Sequence, residues 1–419
     1  MPLRTPLARN ALMTLSANIS MAVSNWLLLV IIAKVFGDHQ LGEVALSLSV
    51  LSPLFLLASF KLRTLLITDT QNEYQISQYF HARLLANNLL LLLTPLLCWT
   101  LLDGINATVV MLIALYKWCD SWFELTISVL HRQKAFTSAG LWIFARALCT
   151  ALALICAFWF EDVLLTLTLW VSVTAMFALL STFNCRRQVS TVFNQTFSLA
   201  LFQAQALRRS LFLFRKYRTL SMALMFSSLF IYLPNLFLQH LQGISEAGRF
   251  AAVSYFLVAG SMLITSISQT AQPYLSQLQA QQQFRTLWIA AFKLCLSGLA
   301  IGLMALLLVC WLGPRLLALI YHQGMTDMSA ELNWIMAAAM VRYGYIFLGT
   351  TLNAFRLFQV QTRIALAGTL TVAVACLLLV PGSGTLGAAQ AMFMATCVEM
   401  VLYLVYLLRR HNLAKEEVR

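Results

Sequence analysis

Long apolar runs separated by short polar turns recur from one end of the chain to the other. Each runs to about 20 residues, the length a helix needs to cross the hydrocarbon core of a bilayer. The pattern predicts twelve spans, at about 11–36, 41–62, 84–102, 107–130, 137–160, 163–183, 218–240, 247–272, 286–312, 331–355, 363–380 and 385–408. Tight connections such as GDHQLG, LDGIN and Glu161-Asp162 fold neighbouring spans into hairpins. No small-x-small cleavage pattern follows the first run, so it reads as a retained helix and not as a signal peptide. The stretch 184–217 breaks the rhythm. It is rich in basic residues, with Phe193, Phe197, Leu201, Phe202, Leu207, Leu211, Phe212 and Phe214 at mostly helical intervals. That predicts a basic amphipathic helix lying on the cytoplasmic leaflet and linking two halves. The expected fold class is an all-α polytopic membrane protein. Residues 1–183 form one six-helix bundle, 184–217 the linker, and 218–419 a second six-helix bundle with a short tail.

The halves look alike at their starts. Setting Gly42 against Gly248 places LGEVALSLSV on AGRFAAVSYF, and the flanking spans align without gaps as far as Thr68-Asp69 and Pro273-Tyr274. Each half has an even number of spans, so the repeat is parallel. Transporters built on such repeats bind substrate between them near the midplane.

Composition agrees with the spans. Of 419 residues 60% are hydrophobic and 10% charged, and the mean hydropathy is +0.79, which excludes an ordinary soluble domain. The net charge of +13 does not indicate nucleic acid, because of where it lies. Arg63, Arg83, Arg132, Lys134, Arg186, Arg187, Arg208, Arg209 and Arg285 fall with many others in even-numbered loops and tails, whereas the opposite loops hold little beyond Arg315. This is the positive-inside pattern with both termini cytoplasmic. The nine cysteines are scattered without a CxxC and read as small buried hydrophobes. The histidines lack ligand spacing, so no metal is expected.

Chemistry concentrates where charges interrupt the apolar spans. The fourth span carries Lys117, Asp120 and Glu124 at offsets of three and seven, one helical stripe, with Ser121 and Ser128 beside it. Arg146 lies about ten residues into the next span, near the depth of Asp120. Ionised groups at that depth cost several kcal/mol unless they pair or line a wet cavity. Asp120 and Arg146 alone would make a structural staple; the extra Lys117 points to a polar site. In the tenth span Arg342, Tyr345, Gly349, Asn353 and Arg356 form a second stripe, and the repeat makes this span the counterpart of the fourth. Each half thus places a mid-membrane cation on its fourth helix, and the two are expected to face each other across a cavity. Thr14, Asn18 and Asn25 share one face of the first span, as hydrogen-bonding groups for a ligand or as interhelical glue. Lys293 and Glu399 lie about two turns from the cytoplasmic edge, where snorkelling explains them. Lys34 and Arg249 adjoin the outer turns, as outer-gate contacts or headgroup anchors. An interior with Lys117, Arg146 and Arg342 at depth and Arg63 at its inner mouth suits an anionic ligand, above all a pyrophosphate. A cation exporter would instead want carboxylates in the first, seventh or eighth span; the only ones near them are Glu43 and Glu246, at the outer ends of the second and eighth spans.

The stretches LGEVALSLSVLSPLFLLASFKLRTLLITD, YFHARL, LYKWCDSWFELTISVLHRQKAF and WIFARAL resemble the polysaccharide-exporter (Wzx-type) branch of the multidrug/oligosaccharidyl-lipid/polysaccharide (MOP, MATE-like) flippases. AGRFAAVSYFLVAG, AQPYLSQL and LNAFRLFQVQTR in the second half are similar to it too. The resemblance implies two six-helix bundles in a V that alternate between inward and outward openings in a bacterial inner membrane. It implies no enzymatic activity. The implied substrate is an undecaprenyl-pyrophosphate-linked oligosaccharide repeat unit for O-antigen lipopolysaccharide, capsule or a related polysaccharide. Lys117, Arg146 and Arg342 would carry the cationic cavity, and Asn18, Asn25 and Tyr345 would bind sugar hydroxyls. Asp120 or Glu124 would hold a coupling proton or sodium ion, and no other cofactor is implied. Arg63 and Asp69 match the basic-then-acidic ending of the second span and read as inner-gate residues. Partners would be membrane lipid, a polysaccharide polymerase and a chain-length regulator. The alternatives are a MATE-type multidrug antiporter, disfavoured by the cationic interior, and an O-antigen polymerase or ligase. The longest outer loop, about 313–330, holds too few acid/base groups for the latter.

Overall fold

The computed structural model describes residues 6–69, 74–192, 204–355 and 357–416. Among these there is no strand. Twelve α-helices follow in order: α1 (Pro6–Val35), α2 (Gly37–Ala58), the short α3 (Leu62–Thr68), α4 (Ile76–Leu101), α5 (Ala107–Arg132) and α6 (Phe136–Ala157) come first. Then come α7 (Val163–Val192), α8 (Ala204–Gln242), α9 (Ile244–Ala280), α10 (Phe284–Ile320), α11 (Ser329–Ala354) and α12 (Phe358–Glu416), with one 3-10 turn at Gln323–Met328. Ten segments are long and apolar enough to cross a membrane. The charged α5 is not among them. The run α12 counts once but is two helices, because Gly384 interrupts it with φ 57° and ψ −132°, where a residue without Cβ is needed. Ten, one and one make the twelve predicted crossings. The described part of 184–217 continues the flanking helices: 184–192 ends α7 and 204–217 begins α8. Leu213 is fully buried, and Phe214 stacks on Phe60 with centroids 4.1 Å apart. Residues 193–203, with Phe193, Phe197, Leu201 and Phe202, lie outside the described set.

Two compact units divide the chain. The first holds residues 1–31 and 46–225, the second 32–45 and 226–419. In the first, α5 is the central helix. From Tyr116 to His131 all its side chains are buried except Lys117, Trp118, Asp120 and Glu124. Polar pins tie it to α7: Trp122 Nε1 donates to Thr182 Oγ1 at 2.8 Å, and the Thr126 and Ser181 hydroxyls meet at 2.7 Å. In the second unit α11 takes the central place. Gly298 and Gly302 of α10 let that helix approach until a Cβ on either would strike the α11 backbone at Tyr343 or Met340. Small residues four apart permit this contact in a membrane, where lipid offers helices no hydrophobic drive to associate.

Overpacking a fixed contact of this kind costs about 1–3 kcal/mol. Gly302→Val is therefore expected to lower the melting temperature of the detergent-solubilised protein clearly, whereas Gly382→Ala, which meets open space, leaves it nearly unchanged. Equal melting temperatures would show that α10 and α11 are not held at this distance.

Candidate functional site: buried cations in each unit

The first site is built by two chain reversals. Asn106 caps α5, accepting from Thr108 N at 2.9 Å. At the other end Lys134 takes a left-handed conformation, φ 60°, and Ala135 N bonds back to Leu130 O at 3.0 Å. The chain turns at once into α6. Asp120 lies twelve residues before the end of α5 and Arg146 ten residues after the start of α6, so the two meet at one level. Arg146 Nη1 reaches Asp120 Oδ1 at 2.7 Å, and the guanidinium lies 4.8 Å from the Phe123 ring centre. Arg146 is 2% exposed, and its Nε and Nη2 have no hydrogen-bond partner.

One turn along, Glu124 sits between two arginines. Arg63 of α3 approaches Oε1 at 3.4 Å and Arg83 of α4 approaches Oε2 at 3.8 Å. Phe60 and Lys61, both left-handed, break the helix after α2 and begin α3, which turns Arg63 toward α5. Arg83 is 1% exposed; its Nη1 donates to Ser121 Oγ at 2.8 Å, Nη2 is the atom that faces Glu124, and neither Nη2 nor Nε makes a hydrogen bond. Asn87 completes the pocket, its amide 3.3 Å from the same hydroxyl. Lys117, half-buried, makes no ion pair with a carboxylate among the described residues. Three arginines thus share two carboxylates with Lys117 beside them, and the stripe Lys117, Asp120, Glu124 remains accessible.

The remaining sequence candidates of this unit take supporting places. Asn25 Oδ1 accepts from the Tyr116 hydroxyl at 3.3 Å, and Tyr116 stacks on Trp170. Asn18 is half-buried on α1; of Thr14 only its place in the helix is described. Asp69 does not pair with Arg63. Its Oδ2 accepts from the Tyr79 hydroxyl at 3.0 Å and from Tyr74 N, and its carbonyl accepts from Arg132 Nη2 at 2.5 Å.

In the second unit Arg342 Nη1 donates to the Tyr345 hydroxyl at 2.8 Å, and the guanidinium lies 5.3 Å from the Phe230 ring centre. Tyr345 stacks on Tyr403. Glu399 does not snorkel: it is 5% exposed. Asn353 accepts from Gln361 Nε2 at 3.0 Å; Arg356 lies outside the described residues. Lys34 and Arg249 join a network at the start of α9. Lys34 Nζ donates to Leu319 O at 2.8 Å. Arg249 pairs with Glu246 at 3.0 Å, with Asp327, and more loosely with Asp38, which His322 also holds at 3.0 Å. These bonds hold residues 32–45 in the second unit, where Gly42 packs directly on Gly248.

Two functional-looking residues were misplaced by sequence reasoning. Arg83 read as a loop charge because the apolar run begins at 84, although α4 starts at Ile76 and protein covers its first turns. Its only sequence signal is its position in YFHARL. Glu399 gave no signal beyond its depth.

Asp120 is over a third exposed, so its pair with Arg146 is worth less than a dry one. A double-mutant cycle of Arg146→Ala and Asp120→Ala is expected to give a coupling energy of about 1–2 kcal/mol in unfolding stability. The Arg146→Ala single variant should be the more damaging of the two. Additive effects would mean that the pair does not form.

No family model matches the chain. Among curated proteins it is similar to the capsular polysaccharide biosynthesis protein CapF of Staphylococcus aureus. The two are 23% identical over 389 residues, covering 92% of this chain and 96% of that protein. Among solved structures it is similar to the lipid II flippase MurJ in an inward closed conformation, with a TM-score of 0.74 and 12% identity. That match covers 94% of this chain and 87% of MurJ. An inward-facing multidrug resistance MATE family transporter of the MOP superfamily gives a TM-score of 0.66 at 12% identity, covering 97% of this chain and 99% of the transporter. These solved structures are a flippase and a transporter, in keeping with the non-enzymatic expectation. The chain is a multi-pass, all-helical membrane protein with the fold of the MOP/MATE-like transporters, similar along nearly its whole length to a capsular polysaccharide biosynthesis protein.

Proposed function

We propose that the protein is a flippase for undecaprenyl-pyrophosphate-linked oligosaccharide repeat units of a capsule or related polysaccharide. It moves them from the cytoplasmic to the periplasmic leaflet of a bacterial inner membrane, with both termini cytoplasmic. The observation that carries this reading is the surplus of cations around the stripe of the first unit, two of them buried. Arg63, Arg83, Lys117 and Arg146 outnumber Asp120 and Glu124 by two, and the buried guanidiniums of Arg83 and Arg146 keep N–H groups without hydrogen-bond partners. An uncompensated buried cation is costly. A diphosphate ester brings two negative charges and acceptor oxygens that match guanidinium forks.

In this reading the sugar-pyrophosphate head enters the polar interior while the polyprenyl tail stays in lipid. Arg146 and Arg83 hold the phosphate oxygens from within the bundle and Lys117 adds a mobile point charge. Arg342 gives the second unit a cationic station of its own. Asn25, which accepts from Tyr116 beside Lys117, and Asn18, two turns earlier on α1, serve sugar hydroxyls in this reading. Asp120 and Glu124 are each neutralised by arginine, which favours a role as counter-charges that keep the empty site stable. Similarity to the capsular protein supports the polysaccharide assignment, and the MOP/MATE-like fold supports alternating access.

The test is the lipid-linked oligosaccharide pool of cells lacking the protein, complemented with wild type, Arg146→Ala or Arg83→Ala. Single pyrophosphate-linked units are expected to accumulate on the cytoplasmic leaflet in the null strain and in both variants, with expression levels maintained. Accumulation on the periplasmic leaflet would mean that translocation is intact and a later polymerising step is lost. An unchanged pool together with heightened sensitivity to cationic drugs would assign the chain to multidrug export.

A further inference from the structure

One carboxylate of the first unit stands between a sealed arginine and an open one. Arg83, the sealed one, has part of its guanidinium fixed: Nη1 donates to Ser121 Oγ, to which the Asn87 amide also donates. Its two other donor atoms, Nη2 and Nε, are buried and make no hydrogen bond. Nη2 faces Glu124 Oε2 at 3.8 Å, an ionic contact too long for a hydrogen bond. Donors that suit an oxyanion are thus turned toward a carboxylate that does not satisfy them. Glu124 is tethered on its other side as well. Its Oε1 accepts from Arg63 Nη1 at 3.4 Å, and the side chains of that pair are 39% and 40% exposed. Asp120 is placed differently, 2.7 Å from Arg146 and with no second cation in contact among the described residues.

We propose that Glu124 is a shutter over Arg83: it holds the place of the anion in the empty site and withdraws onto Arg63 when a diphosphate ester takes Arg83. This rests on the reading of Arg83 as a diphosphate ligand and gives Glu124 a positioning role within it. The free donors of Arg83 are closed to solvent, so an anion reaches them only after a neighbour moves. Glu124 is the neighbour that can move at small cost. Arg63 already holds its other oxygen and both side chains meet water, so on leaving Arg83 the carboxylate keeps a counter-charge. Arg83 has no such reserve. Left bare it would be an uncompensated buried cation, so the shutter stays closed until another anion is at hand. A phosphate that enters makes the hydrogen bonds Glu124 leaves unmade, which drives the exchange. Arg63 in this scheme serves the shutter and not the ligand.

The experiment measures binding of a water-soluble geranyl diphosphate sugar to the full-length protein in detergent, at fixed pH and low salt. Glu124→Gln is expected to bind it about five- to tenfold more tightly than wild type, because the amide no longer competes for Arg83. That gain is expected to vanish when Arg83→Gln is added, since Glu124 acts through Arg83. Arg63→Ala is expected to weaken binding several-fold while Glu124 is present and to change nothing in the Glu124→Gln background. A gain that persists beside Arg83→Gln reflects general charge repulsion and overturns the proposal. So does a glutamine variant that binds no better than wild type, or an Arg63→Ala loss that is equal in both backgrounds. Should Glu124→Gln fail to fold, Glu124→Asp decides the matter. Its carboxylate is one methylene further from Arg83, so tighter binding supports the shutter and equal or weaker binding overturns it. These outcomes leave the diphosphate reading standing. No binding by wild type or any variant, wild-type binding undiminished by Arg83→Gln, or displacement by phosphatidylglycerol overturns the diphosphate assignment of Arg83 as well.

Discussion

The first unit turns on two buried guanidinium groups, Arg83 and Arg146, within a set of cations that outnumbers its carboxylates. A charge taken into the interior of a helical membrane protein is tolerated only where its field is answered by neighbours or by a bound ion. In the first unit the answer is incomplete. Asp120 serves Arg146 and Glu124 is divided between Arg63 and Arg83. The backbone brings the charges together: α3 is short and turned by the left-handed pair Phe60-Lys61, and α5 reverses abruptly at Lys134. Ser121 adds a neutral acceptor for Arg83, and the Asn87 amide donates to the same hydroxyl.

The two units handle buried charge differently. In the first, ions touch one another on an accessible stripe, where water and ligand can compete for each contact. In the second, Arg342 donates to the Tyr345 hydroxyl and lies beside aromatic rings of α8 and α11, with Tyr403 of α12 stacked on Tyr345. The network at the start of α9 is a third case. Arg249 gathers Asp38, Glu246 and Asp327, and its strength depends on ionic surroundings more than on packing.

Much of the fold was legible because a bilayer leaves few choices. Runs of fixed length, broken by turn residues, gave the crossings in order, and the break at Gly384 falls where the pattern placed a loop. The α5 stripe was legible from offsets of three and seven, and the Arg146–Asp120 pair from equal depth on either side of a short turn. Arg83 was not, since hydropathy marks where lipid begins and not where protein begins to cover a helix. Glu399 was not, because the room it fills is made by Gly368 on the other limb of α12, distant in sequence. The pattern at 184–217 predicts one helix on the leaflet, and its described ends, 184–192 and 204–217, belong to α7 and α8. It did not show that Leu213 and Phe214 pack into the first unit, which only tertiary neighbours decide.

The niche at Gly368 carries an implication for how this sequence can drift. The side chain at 399 occupies the space that a methyl group at 368 would fill, so neither position is free to vary alone. A chain that gained a side chain at 368 would have to shorten or lose the carboxylate in the same lineage. One that lost the carboxylate would be left with a void that a larger residue at 368 fills well. Across descendants the two positions are coupled as a single inherited character, either glycine with a long acid or a bulkier residue with none.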